Sequence, residues 1–110
     1  MGTQRGDLIP GTLDLLILKA LGTGSMHGYG IAEWIHQRSH DVLQVDEGAL
    51  YPALHRLEKG KLIAGTWKTT GNGRRARFYN LTSAGTKRLE EARANWKTVA
   101  RGVKKVLRFA

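Results

Sequence analysis

Gly48-Ala-Leu-Tyr-Pro-Ala-Leu-His-Arg-Leu-Glu58, followed after a short basic stretch by Gly71-Asn-Gly-Arg-Arg75, decides how this chain reads. Leu50, Leu54 and Leu57 stand at i, i+4 and i+7, one buried stripe of a helix. Gly48, Ala49, Tyr51, Pro52, His55, Arg56 and Lys59 are left for its other faces. Asp46 suits the N-cap and Gly60 follows Lys59 as a stop, so the helix is predicted over Glu47–Lys59. Pro52 lies well inside it and removes one backbone hydrogen bond, which predicts a kink rather than a break.

Downstream, Ile63, Gly65 and Trp67 alternate with Ala64, Thr66 and Lys68, and Arg77, Tyr79 and Leu81 alternate with Phe78 and Asn80. Two antiparallel strands follow, joined through the turn dipeptide Asn72-Gly73. Upstream, Pro10 suits a helix start, and Leu13, Leu16, Ile17, Ala20 and Leu21 recur at helical spacing until Gly22-Thr-Gly24. His27 to His36 reads as a second helix with Ile31, Trp34 and Ile35 as its apolar stripe. From Thr82, capped by Thr82 or Ser83, a last helix runs nearly to the C-terminus. Its Leu89, Ala92, Trp96, Val99, Val103 and Val106 form an a/d seam, with Lys97, Arg101, Lys104 and Arg108 elsewhere. A compact winged domain has little core left to receive that helix, so the seam points to pairing between chains.

Three helices and a basic two-stranded wing make a fold that is mainly α with a small β-hairpin, the winged helix-turn-helix plan. Residues 1–81 are expected to form a DNA-binding domain and residues 82–110 a dimerisation helix, together one compact unit. At 110 residues the chain suits a single small core. It has no cysteine, which excludes disulfides and thiolate metal sites and is compatible with the cytoplasm. No apolar run is long enough to cross a bilayer, since Leu13 to Leu21 is interrupted by Asp14 and Lys19. The first six residues lack a myristoylation serine or threonine at position 6 and read as a short frayed arm.

Charge is unevenly spread. Residues 1–51 carry three basic and six acidic side chains, residues 52–110 fifteen and three, or −3 against +12. The positive half would attract a polyanion, with strong salt dependence. A recognition helix of this width enters a major groove, where Ala49 and Pro52 offer apolar contact to a thymine methyl and Tyr51, His55 and Arg56 offer hydrogen bonds. Its positive dipole end favours a nearby phosphate. Arg74, Arg75 and Arg77, with Lys68, are placed to hold phosphates or enter a minor groove, setting affinity more than sequence preference.

Leu8-Ile-Pro-Gly-Thr-Leu, His27-Gly-Tyr-Gly-Ile, Glu47 to Glu58 and Arg74-Arg-Ala-Arg-Phe-Tyr-Asn-Leu-Thr82 together resemble the PadR family of bacterial transcriptional regulators over nearly the whole chain. The length and the Arg-Arg-Ala-Arg wording are similar to the family's compact, acidobacterial-type subgroup. The resemblance implies a cytoplasmic homodimer on a near-palindromic operator, a repressor released by a small molecule. It implies DNA contacts through Tyr29, through Tyr51 and Pro52, and through the wing, with pairing largely by the last helix. Some compact relatives line an intersubunit cavity with a tryptophan that stacks on flat ligands. Trp96, flanked by Ala92 and Val99, matches that position and equally suits a residue that fills the dimer core. Ala100 stands where some of those binders carry an acid, which argues against cationic ligands.

Catalysis finds little support. His36 and His40 lie one turn apart without a third ligand, and Asp7, Asp14, Glu33, Asp41 and Glu47 form no paired-carboxylate pattern. Gly71-Asn-Gly-Arg-Arg joins two strands and lacks the lysine and hydroxyl of a phosphate loop. No cofactor is implied. The alternatives are a winged protein-interaction module and a nonspecific nucleic-acid binder. RNA stacking would fall to Trp67 or Phe78.

Overall fold

A computed structural model describes residues 11–108. The elements are α1 (Thr12–Gly22), β1 (Met26–His27), α2 (Gly28–Arg38), α3 (Glu47–Lys59), β2 (Ile63–Thr69), β3 (Arg75–Leu81) and α4 (Ser83–Leu107). The expected helix start at Pro10 lies outside the described residues.

Helix α1 is the centre of the fold. It touches α2, α3, β3 and α4, and buries Leu13, Ile17, Leu18, Ala20 and Leu21. Leu18 falls outside the single stripe read from the sequence. It is buried because α1 is packed on more than one side, while Leu16 is only partly covered. Ile31 and Ile35 of α2 and Leu50, Ala53, Leu54 and Leu57 of α3 close around it.

Helix α3 runs over the predicted residues and continues through Pro52. Asp46 caps it by accepting from the Gly48 N–H at 2.6 Å. Its other end differs from expectation. Gly60 keeps a right-handed φ of −79°, and the left-handed residue is Lys61 at +62°. The Leu62 N–H then reaches the Leu57 carbonyl at 3.0 Å, closing the turn.

The sheet has three strands, not two, in the order β1-β3-β2. Met26 and His27 pair antiparallel with Tyr79 and Phe78, so His27 belongs to a strand, and α2 begins at Gly28. The His27 Nδ1 caps α2 by accepting from the Gly30 N–H at 3.0 Å. Strands β2 and β3 pair from Ile63↔Leu81 to Thr69↔Arg75. Ile63 and Tyr79 sit in the core at the base of this ribbon, and the same face emerges into solvent towards its tip.

Thr82 caps α4, accepting from the Gly85 N–H at 3.0 Å, while its hydroxyl also lies 2.9 Å from the Leu62 carbonyl. Gly85 is required here, because an added Cβ would stand 2.0 Å from the Leu62 oxygen. The first turns of α4 thus lie against the chain leaving α3. Leu89 completes the core, and beyond it the helix projects away, with no buried residue after Leu89.

Candidate nucleic-acid interface

The exposed faces of α2, α3 and the wing meet around an open groove of about 980 Å³. Its walls include Tyr29, Tyr51, Trp67, Arg74, Arg75 and Arg77. Tyr51 is placed by Gly28: an added Cβ there would stand 3.0 Å from the Tyr51 Cε1, so the phenol lies directly on the start of α2. Both tyrosines remain open to solvent, Tyr29 at 65 % and Tyr51 at 48 %. Gly48, Ala49, Pro52, His55 and Lys59 are exposed on α3 but do not line this groove.

Between the strands the five-residue loop Thr70–Arg74 closes by a hydrogen bond from the Gly73 N–H to the Thr70 carbonyl at 3.0 Å. Gly73 sits at φ +82°, which glycine adopts without a Cβ penalty. The Asn72 carboxamide oxygen accepts from the Thr70 hydroxyl, which ties the loop to itself and fixes where Arg74 leaves it. Arg74 is exposed at the tip. Arg75 lies with its guanidinium carbon 5.3 Å from the centre of the Trp67 ring. Lys68 lies on the other face of the ribbon, over Phe78 at 5.4 Å.

Two of the residues expected to face DNA also pair with carboxylates of this chain. Arg56 turns back across the domain to Asp14, Nη2 to Oδ1 at 2.9 Å. Arg77 pairs with Glu58 of α3, and its guanidinium lies 5.7 Å from the Trp67 ring and 6.0 Å from the Tyr79 ring. The Glu58 hydrogen bond raises the Arg77 pKa further above its ordinary value, against the opposing effect of desolvation. Burial pushes the Tyr79 phenol up, and the Glu58 charge adds to it. The amino end of α3 is capped by the Asp46 carboxylate, with Glu47 beside it.

Trp67, not among the residues expected to face duplex DNA, also lines the groove. Its exposure, 54 %, is high for an indole. Its place in the alternation marks it, opposite Arg77 and at the outer end of the face that begins with buried Ile63.

Along α4, Leu89, expected in the seam between chains, is instead buried within its own chain at 6 % exposure. The open seam begins after it, with Trp96 at 51 %, Val99 at 52 % and Val103 at 48 %, and Val106 more exposed still. Ala92 is partly covered. Near α2, His36 uses both ring nitrogens on its own chain, with Asp41 at 3.0 Å and Gln44 at 3.0 Å.

Residues 17–91 match the model of the PadR-like family of transcriptional regulators. The chain belongs to that family. A transcriptional regulator of Mycobacterium tuberculosis is 36 % identical over 90 residues, covering 81 % of this chain and 79 % of that protein. Among solved structures, a transcriptional regulator from Clostridium thermocellum superposes with a TM-score of 0.84 at 27 % identity, over 94 % of this chain and 100 % of that one. A PadR-like transcriptional regulator from Bacillus cereus gives 0.74 at 31 % identity, over 91 % and 95 %. This PadR-like protein is therefore a DNA-binding regulator of transcription. Among its described residues no helix is long and apolar enough to cross a membrane.

Proposed function

We propose that this PadR-like protein represses transcription as a cytoplasmic homodimer bound to a near-palindromic operator, and that a small planar aromatic molecule releases it. The observation that carries the DNA reading is convergence: Tyr29, Tyr51, Arg74 and Arg75 come from three separate elements and line one groove. In this reading α3 enters the major groove, with Ala49, Tyr51, Pro52 and His55 near base edges. Gly48 and Ala49 leave room for close approach. Lys59, Lys68, Arg74 and Arg75 hold phosphates.

The second subunit is supported by the seam. Trp96, Val99 and Val103 are each about half covered in the protomer; of the positions flanking the seam around them, Asn95, Ala100, Gly102 and Leu107 are uncharged, and the charged one, Arg93, lies beside Glu90. The basic residues Lys97, Arg101, Lys104 and Arg108 fall on the far side, where they do not oppose pairing. Trp96 near Ala92 and Val99 is the surface offered to the aromatic effector, one ring from each subunit.

Fluorescence anisotropy tests the proposal, using a duplex from upstream of the protein's own gene against a scrambled duplex at several salt concentrations. Preference for the native duplex by about a thousandfold at physiological salt is expected. Equal, salt-sensitive binding to both would instead mark a nonspecific binder. No binding to either duplex, even at low salt, would move the function to docking on another protein.

A further inference from the structure

We propose that Glu58, Arg77 and Gly65 form a latch that fixes the angle between the wing and the recognition helix, so that Arg77 serves DNA binding as a positioning residue and not as a phosphate contact. This rests on the reading that α3 and the wing engage duplex DNA together.

The latch sits where the ribbon leaves the sheet. Strand β1 pairs with β3 only at Phe78 and Tyr79, so from Arg77 outwards the wing is two-stranded. A two-stranded ribbon without further support is marginally stable and twists strongly. Arg77 is the first residue past that support, and it leans over Gly65 on the neighbouring strand. An added Cβ at Gly65 would stand 2.5 Å from the Arg77 Nε and 2.7 Å from its Cζ, so the guanidinium occupies the space a side chain would fill. Trp67, directly opposite Arg77 in the register, walls the other side. Laid flat in this slot, the guanidinium reaches Glu58 in the last turn of α3. Both partners are about one-third exposed, Arg77 at 31 % and Glu58 at 30 %, and a planar donor fork in such a site gives direction as well as attraction. The pair carries no net charge, so it adds nothing to the attraction of the wing for phosphate. What it adds is geometry: Arg74 and Arg75 are presented at a set distance from Tyr51.

Glu58→Gln separates the two roles, because they predict opposite signs. If Arg77 were a phosphate contact, deleting the competing carboxylate would strengthen operator binding. The latch predicts that Glu58→Gln weakens it, by about threefold to tenfold, with the slope of log K against log salt unchanged. Gly65→Ala changes no charge, displaces Arg77 from its slot, and gives the same loss and the same slope. Combining the two adds little to either, since both open one contact. Arg74→Ala is the benchmark for a phosphate contact and lowers the slope by about 0.9 per protomer. Each variant is checked for its thermal midpoint, and titrations are run well below it.

Binding by Glu58→Gln that is stronger, unchanged, or weaker with a reduced slope overturns the latch. Failure of the wild-type protein to bind its operator, or an unchanged slope in Arg74→Ala, overturns the underlying DNA reading instead.

Discussion

On the proposed pairing through α4, replacing Val99 and Val103 together by asparagine should turn the dimer into a monomer without harming its fold. In the protomer these side chains are 52 % and 48 % exposed, so about half of each remains for a partner to cover. Full burial of a valine is worth about 1.5 kcal/mol, hence about 0.8 kcal/mol for each half. Two positions in two subunits make about 3 kcal/mol per dimer. An asparagine amide trapped in the seam without a hydrogen-bond partner costs about 1 kcal/mol more at each site, which raises the total to about 7 kcal/mol. At about 1.4 kcal/mol per tenfold, the dimer dissociation constant should rise by about a hundredfold to a hundred-thousandfold.

The monomer is spared for two reasons. Valine and asparagine have similar helix propensities, and neither valine reaches the core formed around α1. Sedimentation equilibrium across a range of protein concentrations measures the shift, and far-ultraviolet circular dichroism checks that helix content is retained. A dissociation constant within tenfold of the wild-type value would refute the reasoning, as would a wild-type protein that sediments as a monomer throughout. The double variant should also lose most of its operator affinity, because one winged domain alone holds only one half-site.

Gly85→Ala should destabilise the fold by about 1–3 kcal/mol in urea titration, since its Cβ would meet the rigid Leu62 carbonyl at 2.0 Å; an unchanged midpoint would show that α4 shifts freely on the body. Trp96→Ala should abolish binding of a planar aromatic dye followed by the dye's own fluorescence, and equal binding by both proteins would remove Trp96 from the effector site. Tyr79 should make stability fall at alkaline pH. Its phenol is raised above the ordinary value near 10, so above about pH 10 the unfolded chain releases a proton that the folded chain retains. The tyrosine's contribution is complete below that pH and lost as pH rises towards the folded value. Thermal midpoints between about pH 9 and pH 11 should therefore drop more steeply for wild type than for Tyr79→Phe, and parallel curves would exclude Tyr79 as the cause.

Local patterns made most of the fold legible. The leucine spacing and Asp46 gave α3 to the residue, because cap and stripe are both written within one short segment. Strand β1 escaped because two residues carry no periodicity; Met26 and His27 are a strand only because β3 passes beside them. The alternating apolar positions of α4 look alike from Leu89 to Val106. What separates Leu89 from Trp96 is where α1, β3 and the rest of the core end, and that is a tertiary fact.

The cations divide on the same ground. Arg75 and Arg77 stand two apart on one strand face and look equivalent in the chain, yet only Arg77 meets a carboxylate. The difference is made by Glu58 and Gly65, one on the helix and one on the neighbouring strand, each remote in sequence from β3. Arg56 is similar: its partner Asp14 lies 42 residues away on α1. Net charge therefore overstates how much of this surface is available to a phosphate, and the correction falls unevenly. It offsets the charge of Arg56 on the recognition helix, which stays 60 % exposed, and that of Arg77 at the base of the wing, while Arg74 and Arg75 at the tip meet no carboxylate among the described residues. A wing whose charge is concentrated at its end has its grip decided by the angle at its base, and that is why a neutral ion pair there should matter more to the operator than its own charge suggests.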